Sequence, residues 1–147
     1  MKTNFTKIIF STFLILFLNN SNAQDKVLKN IEEAKTVSKK ITEHFKENEI
    51  TEAFDILKLY WPLPQNEIYT LENQTVQSLN LVSQRFGKQE SIVKVSEQNI
   101  QDTAFRETYL LKFENTALRL IFTYYKNSKG WIINAFKWDD NYDEEFK

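Results

Sequence analysis

The chain has 147 residues, a formal net charge of -1, 41% hydrophobic and 27% charged residues. That suits one globular domain and, with no basic cluster, leaves nucleic acid out as an expected partner. With no cysteine, disulfides, thiolate metal sites and cysteine nucleophiles are excluded together, and 2 Gly and 2 Pro against 12 Phe, 6 Tyr and 3 Trp argue against disorder.

The first residues read as an address. Met1–Lys7 carries Lys2 and Lys7 and no acid, Ile8–Leu18 is almost unbroken apolar sequence, and Ser21-Asn22-Ala23 supplies small residues. This three-part pattern predicts a signal peptide over 1–23, with cleavage between Ala23 and Gln24. Its apolar run of about 11 residues falls short of the roughly 20 that cross a hydrocarbon core, so no membrane span is expected after cleavage. The mature chain, 24–147, is expected to be a single exported domain, periplasmic or secreted. An exported chain without cysteine fits a bacterial envelope.

From Asp25 to Phe45 the apolar residues Val27, Ile31, Ala34, Val37, Ile41 and Phe45 recur at spacings of three and four, which predicts an amphipathic helix. Thr51 is the expected N-cap of a second, shorter helix carrying Ala53, Phe54, Leu57, Tyr60 and Trp61, stopped by Pro62 and Pro64. A third helix is expected from Asn66, with Ile68, Leu71, Val76, Leu79, Val82 and Phe86 as its stripe and Gly87 as its end.

The pattern then changes to strands. Ile92–Val95 opens the first, running on toward Ile100. In the second, Phe105, Glu107, Tyr109, Leu111 and Phe113 share a face opposite Arg106, Thr108 and Lys112. Leu118, Leu120, Phe122 and Tyr124 alternate with Arg119, Thr123 and Tyr125. A polar turn at Asn127–Gly130 then joins that strand to Trp131–Trp138 as an antiparallel hairpin. Helices first and a strand meander after predict an α+β fold: three helices packed on a curved, about four-stranded antiparallel sheet. The acidic tail Asp139–Glu145 lacks the glycine and spacing of a calcium loop and reads as a solvated terminus.

This order of elements, with Arg85-Phe86-Gly87 after the third helix and Lys129-Gly130-Trp131-Ile132-Ile133 opening the last strand, resembles the NTF2-like and cystatin-like superfamily, in particular its small exported bacterial members. The resemblance implies a cone-shaped fold with a pocket between helices and sheet. It implies no activity, because the fold hosts enzymes, binding modules and dimerisation domains alike. The Gln-x-Val-x-Gly loop of cystatin inhibitors is absent.

No catalytic motif stands out. The single histidine, His44, lies off the apolar stripe, which leaves no His-based dyad and a poor case for a metal site. Asp55 and Glu107 are the carboxylates expected to point inward. Glu107, on the apolar face of its strand beside Tyr109, either acts as a base of raised pKa or pairs with Arg119 or Arg106 across the sheet; the pair is the expectation. The aromatics Tyr60, Trp61, Tyr109, Phe122, Tyr124, Phe136 and Trp138 either line a pocket for a small apolar ligand or fill the core, with core filling expected. Asn134, placed by alternation with Ile132, Phe136 and Trp138, is a polar amide in need of a partner. The expected function is therefore a non-enzymatic exported domain with no cofactor. It would bind a small molecule or a protein partner, or pair as a homodimer through an open sheet face carrying Arg106, Arg119, Tyr125 and Trp131. The alternative is a cone-pocket enzyme of isomerase, dehydratase or hydrolase type using Glu107 or Asp55 with Tyr109.

Overall fold

A computed structural model describes residues 26–146, so the predicted signal segment 1–23, its cleavage point and Asp25 lie outside the described residues. The elements follow as α1 (Ile31–Lys46), α2 (Ile50–Tyr60), α3 (Gln65–Phe86), β1 (Gln89–Ile100), β2 (Ala104–Phe113), β3 (Ala117–Lys126), β4 (Trp131–Asp139) and a 3-10 helix, Tyr142–Phe146. The four strands form one open antiparallel sheet in sequence order, which is the α+β arrangement that the sequence predicts.

The first helix starts later than its apolar periodicity suggests. Asn30 is its N-cap, accepting from the Glu33 amide at 2.9 Å, while the Glu33 carboxylate accepts from the Lys29 amide at 2.8 Å. Together they satisfy donors that the helix itself cannot. The residues before it are extended instead. Leu28 exchanges two backbone hydrogen bonds of 2.8 Å with Trp131, and Lys26 donates to the Leu59 carbonyl. At the other end Asn48 takes φ 59, the Glu49 amide bonds the His44 carbonyl, and the Asn48 amide bonds that of Phe45. That closure turns the chain sharply into α2. It also places Ile50 as the first helical residue, so Thr51 lies inside α2 and the cap position is Glu49, without a side-chain hydrogen bond.

The stripe of α3 is also shifted. Leu71 is exposed, and the buried positions are Ile68, Glu72, Thr75 and Leu79. Two of these are polar because they have partners. Glu72 sits 2.9 Å from the Lys58 ammonium of α2, and Thr75 accepts from Trp138 Nε1 at 3.1 Å. The helix ends at Gly87.

The sheet buries its inner face against α1 and α2. Phe105, Leu111 and Phe113 from β2, with Leu118, Leu120, Phe122 and Tyr124 from β3, meet Ala34, Val37, Ile41 and Phe45 of α1 and Phe54 and Leu57 of α2. Burying each of the large side chains contributes about 1.5–3 kcal/mol before entropy is counted. Tyr124 carries its hydroxyl into this core, donating to the Ala34 carbonyl at 3.1 Å and accepting from Ser38 Oγ at 2.7 Å. Gln89, the first residue of β1, donates its side-chain amide to the Phe45 and Lys46 carbonyls at the end of α1.

One irregularity corrects the strand alternation. Thr123 pairs with Ala135 but Tyr124 pairs with Ile133, so Asn134 is an extra residue in β4. Across this bulge the faces exchange. Phe136 and Trp138 face inward on one side of it, Ile133 and Trp131 on the other. Asn134 is exposed rather than enclosed by apolar neighbours. Trp131, expected on the open face, is a core residue with 2% exposure.

Candidate functional site

The predicted site residues separate into three groups. Asp55 is exposed on α2 and pairs with Lys58 at 3.0 Å, one turn away, so it does not point inward as expected. The aromatics form a packed cluster. Phe136 stands at its centre, with the rings of Phe122, Phe45, Phe54 and Trp61 at 5.1, 5.6, 6.0 and 6.4 Å. Tyr60 and Trp138 are half-buried against that cluster. These side chains fill the core by edge and tilted contacts with one another rather than standing apart as a cage. Glu107 and Tyr109 are brought together where the sheet and α1 diverge.

There a cavity of about 390 Å³ opens between α1 and the first two strands. The α1 face contributes Lys35, Lys39, Thr42 and Glu43, which recur at helical spacing along one side; β1 contributes Ile92 and Lys94, and β2 contributes Glu107 and Tyr109. Ile92 lies opposite Leu111 and Lys94 opposite Tyr109, so both face the helices. Glu97 is the cross-strand partner of Glu107. Like charges directly opposite are unfavourable, and two lysines offset them. Lys94 reaches both carboxylates, lying 2.6 Å from Glu107 Oε1, and Lys35 reaches down from α1 to Glu97 at 2.9 Å. The pair that the sequence led us to expect for Glu107, with Arg119 or Arg106, is not formed; both arginines are on the opposite face of the sheet.

Glu107 is fully buried, with both carboxylate oxygens closed off from solvent, and its Oε1 is ion-paired with the Lys94 ammonium at 2.6 Å. Burial lowers the Lys94 pKa, but its contacts with Glu107 and Glu97 together outweigh burial and raise it, so the lysine is an ammonium at neutral pH and a poor nucleophile. Burial, then the Glu107 charge, pushes the Tyr109 phenol well above its ordinary value, so it remains a hydroxyl. Lys94 and Lys35 hold Glu97 below the usual carboxylate range. The arrangement therefore lines the cavity with the phenolic hydroxyl of Tyr109 and with the Lys94 ammonium, itself paired with the buried carboxylate.

The outer face of the sheet is partly covered. Arg119 is only 7% exposed because its guanidinium makes a two-point contact with Asp139, at 2.7 and 3.0 Å, and a third bond to Glu145 at 2.8 Å. Glu145 also accepts from Ser96 of β1 at 3.0 Å, so the 3-10 helix is strapped across β1 and β3. The acidic tail is thus tied to the sheet rather than simply solvated. Of the four residues expected on this face, Arg106 and Tyr125 are exposed there. Among the described residues no group of three or more His, Asp or Glu side chains is arranged to hold a metal ion, and no helix is long and apolar enough to cross a membrane. His44 bonds Glu49 through Nδ1 at 2.7 Å, at the turn between α1 and α2.

Lys35, Lys39 and Lys94 were not singled out in the sequence, although signals for them existed. Strand alternation from Ile92 turns Lys94 inward, and the two α1 lysines flank the Ala34–Ile41 stripe one turn apart. Comparison with known protein families, with curated proteins and with solved structures finds no match to this chain.

Proposed function

We propose that the mature chain is an exported, NTF2-like binding domain that takes a small molecule into the cavity between α1 and β1–β2. The observation that carries this reading is the cavity itself, about 390 Å³ between α1 and β1–β2, walled by Tyr109 and by the ion-paired Lys94 and Glu107. Pockets that bind small molecules occupy roughly 300–1,000 Å³ with a few convergent polar groups. A three-helix, four-strand meander supports the NTF2-like assignment, and the N-terminal sequence pattern supports export.

Native mass spectrometry of the chain purified from the cells that make it tests this directly. An adduct of small-molecule mass, lost in Glu107→Leu, is the expected result. An unliganded mass, together with no melting shift across a metabolite library, overturns the reading. The same spectrum reports any homodimer, for which Arg106 and Tyr125 supply the exposed contacts.

A second reading is proton transfer by Glu107, favoured by its position between the Lys94 ammonium and the Tyr109 hydroxyl. It requires that the bound molecule exchange a carbon-bound proton in deuterated solvent with the wild type and not with Glu107→Gln.

A further inference from the structure

We infer that the C-terminal 3-10 helix, Tyr142–Phe146, is a releasable lid over a second cavity, on the outer face of the sheet, with the Glu145 carboxylate as its latch. That cavity measures about 440 Å³ and is bounded by all four strands and by the strap that follows β4. Thr108 and Ile121 are cross-strand partners in its lining and are only 2% and 4% exposed, although Arg106 and Tyr125 on the same face are open to water.

The lid is not held by apolar burial. None of its five residues is buried, and its two aromatic side chains, Tyr142 and Phe146, point largely into solvent. An element without a buried apolar side chain opens at far lower cost than the core unfolds. Its tie to the sheet is polar and runs through Glu145, which accepts from Arg119 Nη1 at 2.8 Å and from Ser96 Oγ at 3.0 Å, so one carboxylate spans β3 and β1. The turn that carries the lid is fixed separately, by the Asn141 amide donating to Asp139 Oδ1 at 3.1 Å.

Arg119 makes the latch releasable because it has a second carboxylate. Asp139 belongs to β4, not to the lid, and holds the same guanidinium at two points. When Glu145 leaves, Arg119 keeps this bidentate partner, so opening strands no buried charge in the sheet. Opening changes the charge of the cavity as well as access to it. With Glu144 and Glu145 withdrawn, its lining sets Arg106, Arg119 and Lys137 against Asp139 alone.

NMR on the purified protein tests the lid in two ways. Heteronuclear NOEs report whether the strap amides are ordered on the nanosecond scale, and a neutral soluble nitroxide reports how far the Thr108 and Ile121 methyls are shielded from solvent. In the wild type the strap should be as ordered as β3 and both methyls shielded. In Glu145→Ala the strap should become as mobile as a free terminus and relaxation of both methyls should rise severalfold, with the urea midpoint unchanged. Asp143→Asn, which removes a charge from the same helix at a position that does not line the cavity, should behave as the wild type. A strap that stays ordered over shielded methyls in Glu145→Ala overturns the latch. A strap already mobile in the wild type overturns the lid. A urea midpoint that falls together with strap order shows the segment to be integral to the fold and overturns its independent release.

Discussion

Glu107 and Lys94 are unequal partners. The carboxylate is sealed in the protein, while 37% of the lysine side chain remains exposed. Removing the lysine strands a buried charge, whereas removing the charge on Glu107 frees a lysine that turns to water. Lys94→Met should therefore cost about 3 kcal/mol or more and Glu107→Gln about 1–2 kcal/mol, read from urea unfolding midpoints. Equal losses would refute the asymmetry. The pH dependence of stability follows from other carboxylates. Arg119 holds Asp139 below its ordinary pKa, and Lys94 and Lys35 do the same for Glu97. The unfolded chain then binds protons first as the solution is acidified. The stability these groups contribute is complete above the unfolded carboxylate value, near pH 4, and is lost as pH falls through their lower folded values. Urea midpoints measured from pH 6 down to pH 2.5 should decline below about pH 4, and more gently in Asp139→Asn.

At the scale of elements, the local chemistry of helix ends sets boundaries that periodicity misplaces. Asn30→Ala removes the acceptor for the Glu33 amide and should cost about 1 kcal/mol of stability, with helical content by circular dichroism little changed. The Asn-x-x-Glu signature was present in the sequence and outranked the apolar spacing from Val27 to Ile31, because Leu28 bridges to Trp131 instead. The fold class, the strands and the inward place of Glu107 were legible, since period-2 alternation survives wherever one face is buried. Asn134 and Trp131 were misplaced for one reason. An extra residue reverses the alternation, and nothing in the order Trp-Ile-Ile-Asn-Ala-Phe distinguishes a bulge from a regular strand. The partner of Glu107 was misassigned against that alternation, which already sets Arg106 and Arg119 on the opposite face; what alternation leaves open is which neighbouring strand supplies the inner-face counter-ion, and it is β1, through Lys94. Gly130 shows how a conformational demand and a packing demand coincide. Its φ is 150°, and a Cβ added there would stand 2.7 Å from the Leu28 carbonyl.

At the scale of the molecule, cohesion depends on elements distant in sequence. β4 closes the aromatic cluster through Phe136, receives Leu28 at Trp131 and supplies Asp139 to the strap on the outer face. Deleting Trp131–Lys147 should abolish the cooperative urea transition, and a truncated chain that still unfolds cooperatively would disprove this dependence on β4. Removing only Tyr142–Lys147 should leave the transition intact and expose Arg119. The bridge between Leu28 and Trp131 also has a kinetic side. It joins points about a hundred residues apart, so it encloses nearly the whole domain in one loop. A chain synthesised from its N-terminus cannot close that loop until β4, its last strand, has emerged, so the final contact of the N-terminal segment waits on the C-terminal one.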